Sequence, residues 1–184
     1  MHHIYTTSAF VIHSASHGEA GKFLLLFTRD FGMIGATAQG IRLIKSKLRY
    51  HIQDFNFSTV SIVRGKEIWR LTGAHEIAHM KNNIVHLRIL KLLKRLLHGE
   101  EKNENLFEII EELFNTEIKE KDFENVECLT VFRIMHILGY IDKKGELSSI
   151  LETFVINDEM LKSIQKNKAK IVKMINKALS ESQL

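Results

Sequence analysis

The chain has 184 residues, 45% hydrophobic and 26% charged, which suits a globular protein of one or two domains and is too apolar for a disordered one. Proline is absent, although average usage of about 5% predicts roughly nine, and this excludes Pro-rich linkers and collagen-like sequence. The single cysteine, Cys128, excludes an internal disulfide and a multi-cysteine zinc site; with no secretory signal pattern and no 18-residue apolar run, a soluble cytoplasmic setting is expected. The net charge of +4 is unevenly placed: residues 1–73 hold nine Lys/Arg against four Asp/Glu, and residues 74–184 hold seventeen against eighteen. Between Arg42 and Arg70 seven bases face only Asp54 and Glu67, a local excess that favours a polyanionic partner.

Up to residue 73, short runs rich in β-branched and aromatic residues alternate with turn signals. They predict strands over 5–14, 22–29, 33–41, 53–64 and 66–72, broken at Gly18 and Gly21, at Gly32, in the polar stretch 42–51 and at Gly65. In the fourth run Phe55 and Phe57 share one parity and Val60 and Ile62 the other, so a β-bulge near Ser58 or Thr59 is expected. Phe23, Phe27, Phe55 and Trp69 are expected to fill the barrel interior.

After residue 73 the period becomes helical, predicting helices over 74–98, 105–117, 122–139 and 158–180. The last holds six lysines and no acid after Glu159, whereas residues 100–127 hold eleven acids and three bases. In the first helix Lys81, Arg88, Lys91 and Arg95 fall within about 80° of one another. The expected fold class is therefore α+β, with a five-stranded barrel over 1–73 followed by an all-α helical domain over 74–184.

Two patterns carry chemistry. His75-Glu76-Ile77-Ala78-His79 matches H-E-x-x-H, which on a helix sets His75 and His79 one turn apart as zinc ligands with Glu76 as general base of a metallopeptidase. It would open its helix straight after a strand, with Thr72 as N-cap, where Glu76 also has the structural task of meeting the helix dipole. Gly18-Glu19-Ala20-Gly21-Lys22 approaches a phosphate loop, but Ser16 stands where the first Gly belongs and Phe23 where Ser/Thr does. Cys128, in an apolar helical pattern, reads as core.

The second pattern is Arg42-Leu43-Ile44-Lys45-Ser46-Lys47-Leu48-Arg49-Tyr50, four bases without an acid, with Arg64, Lys66 and Arg70 following. Like charges so close repel unless an anion arrives, and cations interleaved with rings suit phosphates and stacked bases. A general single-stranded nucleic-acid-binding adaptor fits this pattern too.

Gly18-Glu19, Leu24-Leu25-Leu26-Phe27-Thr28-Arg29, Gly32, Ala36, Gly40, Arg42 and Ser46-Lys47-Leu48 together resemble the N-terminal domain of the RecO recombination-mediator family. Glu67-Ile68-Trp69-Arg70-Leu71-Thr72 and the later Phe132-Arg133 through Leu138-Gly139-Tyr140 extend the resemblance over most of the first 140 residues. It implies an OB-fold followed by a helical domain, and a non-enzymatic DNA repair protein without cofactor. Such a protein binds single- and double-stranded DNA, anneals strands, and with RecR helps load RecA onto strands coated by SSB. The expected DNA-binding residues are Arg42, Lys45, Lys47 and Arg49, with Arg29, Arg64, Lys66 and Arg70 secondary. For the SSB C-terminal tail the candidates are Arg133 or the set Lys81, Arg88, Lys91 and Arg95. Many members carry a four-cysteine zinc module after the Leu-Gly-Tyr segment; here no cysteine follows Tyr140, which reads as a reduced or divergent branch and leaves the RecR contact open.

Overall fold

The β-branched and aromatic runs form five strands, β1 (Ile4–His17), β2 (Gly21–Thr28), β3 (Gly32–Ala38), β4 (Phe57–Arg64) and β5 (Trp69–Ala78). β1 pairs antiparallel with both β2 and β4, β2 with β3, and β4 with β5. β3 and β5 run parallel, with Ala36 opposite Trp69 and Thr37 opposite Arg70. The sheet therefore closes in the order β1-β2-β3-β5-β4, which leaves no free edge. The structure is a computed structural model that describes residues 3–78, 84–142 and 147–181. The chain divides into two units, Met1–Asn82 with Leu97–Glu104, and Asn83–Leu96 with Asn105–Leu184.

The barrel interior is chiefly aliphatic. Leu24, Leu26, Ile34, Val60 and Ile62 meet there, and Trp69 is the one ring of the buried cluster among the described residues. Tyr5 and Phe31 pack against Trp69 with ring centroids 5.6 and 4.9 Å away. The expectation for the other three aromatics is corrected. Phe27 is buried but alternates with Leu24 and Leu26, so it belongs to the other face of β2. Phe23 shares that parity and lies over Gly35, where a Cβ would come within 3.1 Å of its ring. Phe55 sits in the turn before β4 with φ 72. Five strands enclose little volume, and period-two alternation decides which rings enter it.

The bulge expected near Ser58 or Thr59 is corrected: β4 keeps an unbroken register with β1 from Val63 to Phe57, so Phe57 faces away from Val60 and Ile62 by plain alternation, and the extra residues lie on the partner strand β5. The β4–β5 register shifts between Phe57 and Ser58 and again between Ser61 and Ile62, leaving Ile77 and Thr72 of β5 as the additional residues. Phe57 then stacks on Phe10 with centroids 4.4 Å apart, while Val60 and Ile62 stay in the core.

Between β3 and β4 the chain caps the barrel. Ile41 and Ile52 enter its core, Leu48 packs on it, and the short helix α1 (Leu48–His51) spans the space between. Ser58 Oγ donates to the His51 carbonyl at 2.7 Å, and Phe55 N donates to Val11 O at 2.6 Å. The polar stretch read as a plain break is thus anchored at both ends by aliphatic side chains.

Gly32, at the β2–β3 turn, has φ +66, and a Cβ there would lie 2.1 Å from the Glu101 carbonyl oxygen. Gly32→Ala is expected to lower the barrel's melting midpoint by about 10 °C or more, since left-handed strain adds to a backbone clash. Fluorescence of Trp69, the only tryptophan, reports it directly, because its indole donates to Glu100 beside Glu101. An unchanged midpoint would refute the close packing of residues 97–104 on the β2–β3 turn.

The second unit contains α2 (Ile84–Leu96), α3 (Glu104–Asn115), α4 (Phe123–Ile137), α5 (Ser148–Glu152) and α6 (Asp158–Glu181). Val85, Ile89, Leu93 of α2, Leu106 and Ile110 of α3, Leu129 and Phe132 of α4, and Ile164 and Ile171 of α6 are buried at helical spacing. The helix expected from residue 74 begins at Ile84, because β5 continues through Ala78 to complete its ladder with β4. His86 is buried; its Nε2 lies 2.9 Å from the Leu113 carbonyl, so Nε2 carries the proton, and desolvation lowers its pKa and keeps the ring neutral.

Candidate nucleic-acid interface

Backbone hydrogen bonds fix the shape of the basic segment on the cap. Arg42 N donates to Ala20 O in the β1–β2 turn at 2.9 Å, and Arg42 Nη1 reaches Gly18 O at 3.5 Å. Leu43 N donates to Gly40 O, and Ser46 N to Leu43 O, so Ile44 and Lys45 form the tip of a tight turn. Arg42, Lys45 and Lys47 are exposed, and Arg49 is half-exposed with its guanidinium 4.6 Å from the Tyr50 ring centroid and donating to the Tyr50 hydroxyl. Between these cations Ile44 is 86% exposed, and Leu43 and Tyr50 are exposed as well. Sequence reasoning named this segment for its charge but not for its apolar tip. The signal was present as Leu-Ile and Tyr set among bases in a loop, and only the two neighbours Ile41 and Ile52, which enter the core, show which apolar residues stay outside.

The β4–β5 hairpin carries the second basic group. Arg64, Lys66 and Arg70 line a cleft of about 680 Å³ together with Glu67 and Ile68. Arg64 is not a free cation: it pairs with Glu100, stacks 4.7 Å from the centroid of Trp69, and Glu100 also accepts from Trp69 Nε1 at 3.1 Å. Glu100 belongs to a stretch that reads in sequence as solvated acid, so this clamp was invisible before folding. Lys66 and Arg70 are exposed in the same cleft. Arg29 is half-buried at the start of the β2–β3 turn, its amide donating to Ser8 O.

The H-E-x-x-H reading is corrected. His75 and Glu76 lie on β5, opposite Thr59 and Ser58 of β4, and a strand does not bring residues four apart onto one helical turn. Thr72 is not a helix cap; its hydroxyl donates to the Ser61 carbonyl across the β4–β5 ladder at 3.1 Å. His79 lies outside the described residues, among which no three His, Cys, Asp or Glu side chains gather as metal ligands. The near phosphate loop is the β1–β2 hairpin turn, with Gly18 at φ 62 and Gly21 opposite His17. Cys128 is buried in α4, and burial pushes its thiol pKa up, away from nucleophilic use.

Of the residues expected to hold a protein tail, Lys81 lies outside the described residues. Arg88 on α2 is paired with Glu127 of α4 at 2.8 Å, while Lys91 and Arg95 are exposed. Arg133 is corrected: it is 2% exposed, and Nε, Nη1 and Nη2 donate to the carbonyls of Ile150, Phe154 and Val155 at 3.0, 2.9 and 3.1 Å. Desolvation lowers its pKa to about 10, so it stays a cation, but it ties α4 to α5 and to the chain that follows α5 rather than meeting a partner.

A closed barrel in the order β1-β2-β3-β5-β4, capped between β3 and β4, defines an OB-fold protein. Residues 1–79 match the family described as recombination protein O, N terminal, and the chain belongs to the RecO family. It is 31% identical over 156 residues to the DNA repair protein RecO of Dehalococcoides mccartyi, covering 79% of this chain and 59% of that protein. The RecO proteins of Alkaliphilus metalliredigens and Heliobacterium modesticaldum are 26% and 28% identical over 78% and 74% of the chain, covering 60% and 52% of their own lengths. The chain thus spans little more than half the length of these relatives.

Proposed function

We propose that the protein is a non-enzymatic DNA-binding protein of recombinational repair, which holds single- and double-stranded DNA on its OB-fold barrel and anneals complementary strands. In this reading it helps load RecA onto SSB-coated strands and works with RecR, in the cytoplasm where DNA is handled. The observation that carries it is the cap segment, where Arg42, Lys45, Lys47 and Arg49 stand with no acid among them around the exposed Leu43, Ile44 and Tyr50. The relatives' name, DNA repair protein, points the same way. Among the described residues no helix is long and apolar enough to cross a membrane.

Mechanism under this reading involves no bond-making step. Arg42, Lys45, Lys47 and Arg49 neutralise phosphates and release their counterions, and Tyr50 offers a ring to a base. Lys66 and Arg70 extend the path into the β4–β5 cleft, with Arg64 a weaker contributor because Glu100 offsets its charge, and Arg29 at its margin. Neutralising the phosphates lets a complementary strand approach. The barrel carries the DNA path, and on α2 of the helical unit the exposed Lys91 and Arg95, on the same helix as Arg88, would meet the acidic SSB tail.

Anisotropy of a fluorescent single-stranded oligonucleotide, titrated with metal-free protein at several salt concentrations, tests this. The expected log–log salt slope is about −3 or steeper, for four or more phosphate contacts at roughly −0.7 each. Absence of binding at low salt would overturn the proposal.

A further inference from the structure

Helix α6 presents two unlike faces. Ile164, Ile171, Ile175 and Ala178 are buried. At about 100° per residue, Lys162, Lys166, Lys170, Lys173 and Lys177 fall within an arc of about 80° on the far side, and all five are exposed. At 1.5 Å per residue they form a stripe roughly 22 Å long. No acid occurs between Lys162 and Lys177; those of the helix are Asp158 and Glu159 in its first turn and Glu181 at its end, which pairs with Lys177 at 3.6 Å. The sixth lysine, Lys168, lies off the stripe and is taken by Glu124. Among the described residues no ion pair engages Lys162, Lys166, Lys170 or Lys173.

Amphipathic patterning accounts for a polar face but not for a face of one sign. Like charges at i and i+4, as at Lys162/Lys166, Lys166/Lys170 and Lys173/Lys177, weaken a helix, whereas alternating Glu and Lys would strengthen it. Glutamate is abundant elsewhere in this unit, as in α3 with Glu108, Glu111 and Glu112, yet it is missing from this stripe. The stripe holds a row of cations against their own repulsion, and a polyanion laid along it removes that repulsion.

We infer that the α6 stripe is a second nucleic-acid-binding surface, on the helical unit and separate from the barrel cap, along which the phosphates of one strand run. Evenly spaced lysines without apolar anchors suit a strand better than an acidic peptide. Val172, the exposed large apolar residue of α6, lies about 120° round the helix from the stripe's centre. Two surfaces on one chain hold two strands at once, which an annealing reaction requires. The inference stands on α6 alone and does not depend on the cap.

The test replaces Lys162, Lys166, Lys170, Lys173 and Lys177 together by Gln, in the full chain and in a chain whose Arg42, Lys45, Lys47 and Arg49 are Ala. A five-fold Lys→Arg variant keeps the charge. Far-UV circular dichroism should show helix content and melting midpoint unchanged or raised for the Gln variant, since repulsion is relieved. In the full chain, Lys→Gln should leave affinity for one oligo-dT strand within about threefold and slow annealing of complementary oligonucleotides about tenfold, with Lys→Arg restoring the rate. In the cap-alanine chain, Lys→Gln should abolish the residual, salt-sensitive binding. Unchanged annealing and unchanged residual binding would overturn the inference, as would polyglutamate binding the stripe as well as an oligonucleotide of equal charge. Loss of oligo-dT binding through α6 alone would uphold this surface while refuting the cap; no binding by the unaltered protein would refute both.

Discussion

Replacing Arg42, Lys45, Lys47 and Arg49 by alanine is expected to flatten the salt dependence of single-strand binding by about 3 in log–log slope, the loss of four phosphate contacts at roughly 0.7 each. Affinity at about 50 mM salt should fall at least tenfold. The fold should survive, because Arg42, Lys45 and Lys47 are exposed and Arg49 half-exposed, while Ile41 and Ile52 hold the cap to the barrel core. Substituting Lys66 and Arg70 alone should change the slope by about half as much, and Arg64 alone by less, because Glu100 already neutralises it. Oligonucleotide anisotropy across a salt series reads all three. A cap variant with the slope of the unaltered protein would remove the cap from the interface.

Arg133→Met should destabilise the helical unit by about 3–5 kcal/mol, among the largest effects open to a single substitution here. Methionine matches much of the side-chain length but leaves the carbonyls of Ile150, Phe154 and Val155 without their donor. Arg133→Lys should lose most of the same stability, since one ammonium on a flexible stem cannot serve three carbonyls that a planar fork meets at 2.9–3.1 Å. By contrast, Arg88→Ala removes an exposed ion pair with Glu127 and should cost about 0–1 kcal/mol. Chemical denaturation followed by circular dichroism separates these cases. A loss for Arg133→Met no larger than that for Arg88→Ala would show that the buried fork does not hold the chain after α5.

Much of this fold was legible before any coordinate. Period-two runs interrupted by glycine located the five strands, and the period of Val85, Ile89, Leu93 and Leu96 located the second unit's first helix. Where the reading slipped, a local pattern admitted two outcomes. Residues 74–78 continue a helical apolar pattern but are claimed by β4, whose ladder needs a partner as far as Phe57. H-E-x-x-H is a statement about one helical face, and it lost its meaning when those residues became a strand. Phe23 and Phe27 are large and apolar, yet parity and the small bore of the barrel leave the interior to Leu24 and Leu26.

The candidate interface divides in the same way. That the segment from Arg42 to Tyr50 is basic and free of acid is a property of composition, and no folding could alter it. The sequence by itself likewise determined most of the element types, residues 74–78 excepted, and with them the basic first part and the lysine-rich last helix, because these follow from residue identity and periodicity over short stretches. Only the tertiary structure decided which cations remain available, since that depends on partners far away in the chain. It placed Glu100 against Arg64 across 36 residues and turned Arg133 from a surface candidate into a buried tie between carbonyls. A cation's charge is local, but its availability is set by what the fold brings within a few ångströms of it.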